Sequence, residues 1–338
     1  MKYFSTFSGI GGFEIGISNA FAATRLLQGV SDETGSTING TGSLSAEPLC
    51  VGYSEIDKYA IKVYERQFEG AKNYGDITKI NTDELPDFDL LVGGFPCQAF
   101  SIAGKRRGFE DTRGTLFFEL ARILKAKTPR LFVFENVKGL LNHDNGNTFK
   151  TIIAAIDELG YDCQWQVLNS KNHGVPQNRE RVIIVGHLRG TPRPQVFPIT
   201  GSGGQASKTV EVAGTLESDG WEKRFEQIRR VHSTDGISPT IPTGTGGGVM
   251  TKIISKTIRA GGRNSPHGSK QNWDSYDVSG SVRRLTPVEC ERLQGFPDNW
   301  TKFGVGNEPI SDSQRYKMCG NAVTTNVIQA VFERIFTL

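Results

Sequence analysis

The stretch YFSTFSGIGG at residues 3–12 decides the fold of this chain. Residues 3–7 favour a strand, the glycines that follow favour a tight turn, and Phe13, Ile17 and Phe21 then recur with helical spacing. A strand that enters a glycine turn and then a helix is typical of α/β folds, where the helix N-terminus offers free backbone amides to a ligand. The G-x-G spacing alone is weak evidence for a cofactor site, because it is not the full dinucleotide fingerprint.

The same alternation of strands and helices continues through the first half of the chain. The hydrophobic periodicity predicts strands at 49–54, 90–93, 131–135 and 182–187, with amphipathic helices at 56–68, 116–124 and 149–159. This pattern predicts a largely parallel sheet with helices on both faces. Near the C-terminus, Thr286 and Glu289 form a capping box before a short helix, and residues 321–336 favour a final helix.

Length and composition narrow the classes of protein that the chain can belong to. Its 338 residues, 37% of them hydrophobic, are enough for a globular core and argue against a disordered chain. No apolar run approaches the roughly 18 residues that cross a bilayer, and polar residues and glycine interrupt the N-terminus too early for a signal peptide. Five cysteines without a C-x-x-C pair argue against a disulfide framework and a zinc site. We therefore expect a cytoplasmic protein with no bound metal.

The second half of the chain has a different composition and an uneven charge. From about 190 to 280 the periodic pattern gives way to Gly, Ser, Pro and Thr, which predicts a second, smaller, loop-rich β domain. The whole chain carries a net charge of +3, but residues 251–284 contain seven basic and two acidic side chains. A basic segment on a nearly neutral chain fits a polyanion such as nucleic acid, although a solvated loop is the alternative.

Cys97 lies in GGFPCQ at residues 93–98, directly after a predicted buried strand. The carboxyl ends of strands in open α/β folds border the crevice in which ligands bind. The glycines and the proline before Cys97 indicate a sharp, exposed turn. This context indicates a nucleophile, and a small buried hydrophobe remains the alternative for a lone cysteine.

Charged residues follow or precede other predicted strands at the same edge. Glu135 ends one strand and would project into the crevice as a general acid. Arg179 and Arg181 precede another strand, where alternate residues would point the same way and could bind a carbonyl oxygen or favour a thiolate. Glu55 ends the second strand, where an acid commonly accepts hydrogen bonds from ribose hydroxyls.

Together these motifs resemble the DNA (cytosine-5)-methyltransferases of bacterial modification systems, the type II modification methylases. The matching segments, in the order of the family, are FSGIGG at 7–12, Glu55, GDI at 75–77, GFPCQ at 94–98, ENV at 135–137, QNRER at 177–181, RLTPVECERLQGFP at 284–297 and GNAV at 320–323. The proline–cysteine turn combined with Q-x-R-x-R is highly specific. An insertion near 28–47 departs from the family pattern, and residues 190–280 match it only in position and composition.

The resemblance implies a fold, a domain plan and a reaction. The fold would be a Rossmann-like S-adenosylmethionine-dependent methyltransferase sheet with a smaller target-recognition domain. Residues 1–189, completed by 305–338, would form the catalytic and cofactor-binding domain, and residues 190–304 the target-recognition domain and hinge. The reaction would transfer a methyl group to carbon-5 of a flipped-out cytosine in double-stranded DNA, with S-adenosylhomocysteine as the product. The protein would act as a monomer, and a separate cognate restriction endonuclease would be its biological partner.

Position in the family motifs also implies a role for each site residue. Cys97 would be the nucleophile, Glu135 would hold ring nitrogen 3, Arg181 would contact the base carbonyl, and Arg179 would support the same pocket. The implied cofactor contacts are Phe7, Gly9, Gly11, Glu55, Ile56, Asp76, Ile77, Pro96, Leu116 and Asn321. A lid at 101–113 would close on the DNA. The implied DNA contacts are Lys105, Arg106, Arg259, Arg263 and Lys270.

Three other functions compete with this interpretation. A tRNA cytosine-5 methyltransferase would share the catalytic motifs and differ in its substrate. A catalytically silent DNA-binding relative would be expected to lack Cys97 or Glu135, and both are present. A nicotinamide-dependent oxidoreductase would explain Gly9 and Glu55 but would leave Cys97 without a role.

Overall fold

The structure, a computed structural model, describes residues 1–27, 46–96, 116–193, 195–201, 212–215, 230–232, 237–241, 251–255 and 281–337. Several predicted features lie outside these ranges. They are the nucleophile Cys97, the lid at 101–113, most of the insertion near 28–47, and the DNA contacts Lys105, Arg106, Arg259, Arg263 and Lys270.

A six-stranded sheet forms the centre of the molecule. Its strands are β1 (Lys2–Thr6), β2 (Leu49–Ser54), β3 (Leu90–Gly94), β4 (Leu131–Val137), β5 (Tyr161–Asn169) and β7 (Glu180–Leu188), with the short strand β6 (Gln177–Asn178) just before β7. The order across the sheet is β2-β1-β3-β4-β7-β5. The first four strands are parallel, whereas β7 runs antiparallel to both β4 and β5.

Helices cover both faces of this sheet. They are α1 (Gly12–Leu27), α2 (Lys58–Gln67), α3 (Leu116–Lys127), α4 (Asn147–Glu158), α5 (Pro287–Leu293), α6 (Asp312–Asn321) and α7 (Thr325–Phe336). Alternate strand residues face opposite sides, so Phe132 packs in a core with α3 and α4, while Val133 packs in a core with α1 and α7. The last helix of the chain therefore packs beside the first.

The second half contributes a smaller sheet of its own. Its strands are β8 (Val212–Thr215), β9 (Arg230–His232), β11 (Lys252–Ser255) and β12 (Ser281–Arg284), in the order β12-β11-β9-β8. The short strand β10 (Ser238–Pro239) pairs with β6 instead. Ile241, Ile253 and Leu285 form an apolar cluster with Leu293 of α5 and Cys319 of α6, which joins this half to the C-terminal helices.

The structure confirms the α/β class and departs from the sequence prediction at three points. Strand β5 was not predicted, and it pairs antiparallel with β7 because the connection between them is too short for a parallel crossover. The predicted helix at 321–336 begins only at Thr325, and Asn321 instead ends α6. Helix α6 was missed because its sequence, DSQRYKMCGN, is mostly polar. Within the described ranges, no helix combines the length and the apolar character that crossing a bilayer requires.

Candidate active site

Of the predicted site residues that the structure describes, most lie at or just after the ends of strands that finish at one edge of the sheet or, in the case of Arg179 and Arg181, at or just before the start of a strand that begins there. In the register, Thr6 of β1 pairs with Ser54 of β2 and with Gly93 of β3. Farther along the sheet, Gly94 pairs with Glu135 of β4, and Val137 pairs with Arg181 of β7. The segments that follow β1, β2, β3 and β4 and precede β7 therefore border one crevice.

The glycine turn after β1 has a backbone that few side chains allow. Gly9 and Gly11 have φ angles of 56° and 87°, and Phe7 adopts a φ of 50° without being glycine. A Cβ on Gly11 would collide with the Phe68 ring. Unfavourable backbone conformations of this kind cluster at functional sites. The amide of Gly9 donates a 2.8 Å hydrogen bond to the Oε2 atom of Glu55, so the turn is tied to the end of β2.

Glu55 and Ile56 form the next part of the crevice. The Oε1 atom of Glu55 accepts hydrogen bonds of 2.8 Å from the amides of Ile56 and Asp57. These bonds fix the carboxylate, whose oxygens still have lone pairs for further donors. The side chain of Ile56 is 73% exposed, which is unusual for an isoleucine. The crevice therefore presents a fixed carboxylate beside an uncovered apolar surface.

The remaining predicted cofactor residues occupy different environments. Asp76 caps a short turn, and hydrogen bonds from the hydroxyl of Thr78 and, to a smaller extent, from its amide lower the pKa of the Asp76 carboxyl. Ile77 is 3% exposed and packs in the core, so only its backbone is available to a ligand. Leu116 begins α3 and is partly buried against the same core, while Asn321 is exposed at the end of α6.

The segment Phe95–Pro96, which precedes Cys97, is anchored by a residue whose role the sequence did not reveal. Phe95 is buried and Pro96 is exposed at the end of β3. The buried side chain of Asn136 donates a 2.8 Å hydrogen bond from Nδ2 to the Phe95 carbonyl, and its Oδ1 accepts one of 2.8 Å from the Val137 amide. Asn136 therefore positions the backbone two residues before Cys97.

For the methyl transfer that the sequence resemblance implies, we expect Asn136→Ala to lower kcat about tenfold while the KM for the implied cofactor changes less than twofold. The substitution leaves a buried carbonyl without its partner, at a cost of about 1–3 kcal/mol, and releases the turn next to Cys97. Steady-state kinetics with both substrates would check this result. A variant with wild-type kcat would show that the Phe95 carbonyl needs no anchor.

Glu135 and Arg181 form a nearly buried ion pair at the end of β4. The Nε atom of Arg181 lies 2.8 Å from Oε1 of Glu135, and their side chains are 14% and 11% exposed. Arg181 also donates a hydrogen bond from Nη1 to the carbonyl of Glu180. A Cβ on Gly94 would lie 3.0 Å from Oε2 of Glu135, so the glycine leaves room for the carboxylate. The pair can offer both donors and an acceptor to a planar polar ligand.

Arg179 is more deeply buried than Arg181 and has different partners. It is 2% exposed, and its Nη2 atom donates to the carbonyls of Gly320 and Ala322 at 3.2 and 2.8 Å. Its Nε and Nη1 atoms have no hydrogen-bond partner among the described residues. Burial, with the charge of Arg181 as a smaller cause, lowers the pKa of Arg179 to about 9. Arg179 thus ties the site to the segment around Asn321.

Trp300 is a further contact of the glycine turn that the sequence analysis missed. Its indole Nε1 donates a 2.8 Å hydrogen bond to the carbonyl of Ile10. Its ring also packs edge-on against Phe68, the side chain that closes over Gly11. The partners are 290 residues apart in the chain, so no local pattern could have connected them.

Comparisons with known proteins agree with this geometry. Residues 1–337 match the family model described as C-5 cytosine-specific DNA methylase. The type II methyltransferase M.NgoBI of Neisseria gonorrhoeae is 42% identical over 282 residues, which cover 82% of this chain and 83% of that protein. The type II methyltransferase M.HhaI of Haemophilus parahaemolyticus is 34% identical over 349 residues, with coverage of 98% and 93%.

A solved structure shows a similar fold. The Entamoeba histolytica methyltransferase EhMeth matches with a TM-score of 0.65 and 17% identity, and the match covers 100% of this chain and 98% of that one. At that identity the likeness supports the fold alone, whereas the family model and the sequence relatives support the activity. This chain belongs to the C-5 cytosine-specific DNA methylases.

Proposed function

We propose that this DNA methylase transfers the methyl group of S-adenosylmethionine to a flipped-out cytosine that is covalently bonded to Cys97. The observation that carries the proposal is the nearly buried Glu135–Arg181 pair, which lies beside the strand end leading into Pro96 and Cys97. The hydrogen-bonding edge of a pyrimidine can be bound by the donors and the acceptor of this pair. Cys97 must then lie close enough to attack the pyrimidine ring. Family membership fixes carbon-5 of cytosine as the acceptor.

The described residues of the crevice fit the proposed cofactor. Ser8 has a buried hydroxyl with no hydrogen-bond partner in the described ranges, Glu55 presents a fixed carboxylate suited to ribose hydroxyls, and Ile56 presents an apolar surface suited to adenine. When bound, S-adenosylmethionine would supply an electrophilic methyl group and leave as S-adenosylhomocysteine. Phe7, Gly11, Leu116 and the other predicted contacts complete the proposed binding surface.

Cys97 and Glu135 would make the ring reactive in the following way. Carbon-5 of cytosine is a poor nucleophile. The Cys97 thiolate adds to carbon-6, and Glu135 donates a proton to nitrogen 3, so a neutral enamine forms whose carbon-5 is nucleophilic. After methylation, the carbon-5 proton passes to water, its electron pair restores the carbon-5–carbon-6 double bond and expels Cys97 as a thiolate, and nitrogen 3 returns its proton to Glu135. The aromatic ring and the free enzyme are both restored.

The two arginines support this chemistry in different ways. Arg181 has five N–H donors and could give one to the base carbonyl while it orients Glu135. Arg179 places a buried positive charge in the same region and anchors Gly320 and Ala322. A positive charge near a cysteine favours its thiolate. Arg181 is therefore proposed to contact the base and Arg179 to support the pocket.

Access to carbon-6 requires that the target base leave the duplex, at a cost of a few kcal/mol. We propose that the lid at 101–113, with Lys105 and Arg106, closes over the flipped base. Residues 190–304 are proposed as the target-recognition domain and hinge, with Arg259, Arg263 and Lys270 as DNA contacts. The proposed enzyme acts as a monomer in the cytoplasm, alongside a separate restriction endonuclease.

Bisulfite sequencing tests this function directly. Purified protein is incubated with plasmid DNA and S-adenosylmethionine, and protected cytosines are mapped. We expect protection of one cytosine within one short recurring sequence, and none without the cofactor. A parallel reaction with total tRNA tests the competing substrate. Methylation of tRNA in preference to DNA, or protection without a sequence pattern, would contradict the proposal.

Exchanging residues 190–280 for the corresponding segment of a relative with another recognition sequence should change the methylated sequence. The affinity for cofactor should stay within about twofold, because the crevice around Glu55 and the glycine turn lies in the first domain. Bisulfite mapping and equilibrium dialysis would give the two readouts. Loss of cofactor binding in the exchanged protein would mean that the domain boundaries are wrong.

A further inference from the structure

Gln177 connects two segments that lie far from it in the sequence. Its side chain is fully buried, at 0% exposure. The Nε2 atom donates a 2.6 Å hydrogen bond to the carbonyl of Leu293 at the end of α5, and Oε1 accepts a 3.3 Å hydrogen bond from the amide of Ile241. Both halves of the amide group are therefore used, one toward a C-terminal helix and one toward the second domain.

The segment at 237–241 lies along the chain that immediately precedes Arg179 and Arg181. Strands β10 and β6 pair in parallel, with Ser238 opposite Gln177. The Ser238 amide donates to the Pro176 carbonyl at 2.7 Å, and the Thr240 hydroxyl donates to the Asn178 carbonyl at 2.9 Å. Through this short ladder, the second domain contacts β6, the strand that immediately precedes Arg179 and the start of β7, which carries Arg181.

Hydrogen bonds also anchor the end of α5, which Gln177 contacts through the Leu293 carbonyl. Gln294 donates from Nε2 to the Cys319 carbonyl at 2.8 Å and accepts from the Thr324 hydroxyl at 2.8 Å. The Thr324 hydroxyl also lies 2.8 Å from that of Ser170, which precedes β6. The carbonyl that Gln177 binds therefore belongs to the end of α5, in the hinge part of residues 190–304, and that end is tied to Cys319, Thr324 and Ser170.

Apolar packing at this junction cannot by itself set the alignment. Ile241, Ile253 and Leu293 share one hydrophobic cluster, and hydrophobic contact is not directional. The ladder between β10 and β6 has only two residue pairs, so it contributes few hydrogen bonds with which to hold its register. The bonds of Gln177 to a specific amide and a specific carbonyl supply the direction that packing lacks.

We propose that Gln177 is a positioning residue that keeps the target-recognition domain in register with the base-binding pair Glu135–Arg181. The inference rests on the proposed recognition role of residues 190–304. The DNA sequence that this domain engages would then meet the pair only in one alignment, so the correct sequence is methylated and a wrong one is not. Loss of the Gln177 bonds should weaken sequence discrimination more than it weakens cofactor binding.

The chain contains a matched control for this inference. Gln166 on the edge strand β5 also bridges a backbone amide and a backbone carbonyl, both belonging to Ile199, at 2.8 and 3.0 Å. Ile199 lies within 190–304, but it packs in the core of the six-stranded sheet with Val133 and Val185, apart from the segment at 237–241 that pairs with β6. Gln177→Leu and Gln166→Leu therefore remove the same kind and number of hydrogen bonds with the same change of side chain.

The measurement is the ratio of kcat/KM on duplex DNA carrying the mapped recognition sequence to kcat/KM on DNA with one base pair changed. We expect Gln177→Leu to lower this ratio at least tenfold, with the Kd for S-adenosylmethionine within twofold of wild type. Gln166→Leu should keep the wild-type ratio, whatever its stability. A Gln177→Leu enzyme with an unchanged ratio, or an equal loss in both variants, would overturn the inference.

Gln177→Glu gives a second test that does not depend on the fold of the leucine variant. A protonated carboxyl can donate to the Leu293 carbonyl as the amide does, whereas a carboxylate cannot. We expect the kcat/KM ratio of Gln177→Glu, between the recognition sequence and the changed sequence, to approach the wild-type value as the pH falls and to decline as the pH rises. A ratio that does not change with pH would count against the inference. A wild-type enzyme with no sequence preference would contradict the recognition domain as well, whereas a preference that survives Gln177→Leu contradicts this inference alone.

Discussion

Replacing Cys97 with serine is expected to abolish methyl transfer, with a loss of at least about 1,000-fold in kcat, since enzymes without their nucleophile retain only binding and electrostatic effects. A serine hydroxyl is a far weaker nucleophile than a thiolate and cannot activate carbon-5 by addition to carbon-6. Specific DNA binding should remain measurable, because the proposed recognition domain is untouched. The substitution replaces the γ-sulfur with oxygen and leaves a side chain of nearly the same size.

Incorporation of labelled methyl groups and a mobility-shift assay on the same preparation give the two readouts for Cys97→Ser. The buried cysteines Cys290 and Cys319 offer controls, because burial raises the pKa of the Cys290 thiol to about 12 and raises that of Cys319 well above its ordinary value. The folded Cys290→Ser and Cys319→Ser proteins still contain Cys97 and should therefore keep methyl transfer. Substantial turnover by Cys97→Ser would refute the assignment of the nucleophile.

Replacing Glu135 with glutamine is expected to lower kcat between about 100- and 10,000-fold, the range that a positioned general acid contributes. Glutamine has the same shape and can still accept a hydrogen bond from Arg181, but it cannot donate an acidic proton to ring nitrogen 3. The KM for S-adenosylmethionine should change little, since the proposed cofactor surface lies at Glu55 and the glycine turn. Single-turnover kinetics would isolate the chemical step.

Glu180→Gln is a matched control for Glu135→Gln. Glu180 begins β7, one residue from Arg181, and forms an exposed ion pair with Lys138 at 3.0 Å. The substitution keeps the Glu180 carbonyl that Arg181 binds and removes only an exposed ion pair, so its kcat should stay within twofold of wild type. A Glu135→Gln enzyme as active as Glu180→Gln would exclude Glu135 as the proton donor.

The sequence predicted the strands that build the site because those strands are short, apolar and bounded by glycine or polar residues. Strand β2 has the predicted bounds, Leu49–Ser54, and the capping box at Thr286 forms with both hydrogen bonds. Glu135 ends β4 and Arg181 begins β7, so the two meet at one edge because β7 runs antiparallel to β4. Periodicity placed both residues at strand ends, but the predicted largely parallel sheet did not include the strand reversal that brings this pair into one crevice.

The contacts that hold the site in place could not be predicted in the same way. Arg179 binds Gly320 and Ala322, Trp300 binds Ile10, and Gln177 binds Leu293, each across more than 100 residues. These are hydrogen bonds between one side chain and a distant backbone carbonyl. Every residue has such a carbonyl, so the residue type at that position does not indicate the bond. Such partners become visible only when the fold brings the segments together.

A DNA duplex with 5-fluorocytosine at the mapped target position tests the covalent account most directly. Fluorine cannot leave as a proton does, so the ring should stay bonded to the enzyme after methyl transfer. Wild-type protein with S-adenosylmethionine is predicted to give a complex that survives denaturing electrophoresis, with the modified peptide containing Cys97. If no stable complex forms, or if the ring is attached to another residue, the proposed mechanism is wrong.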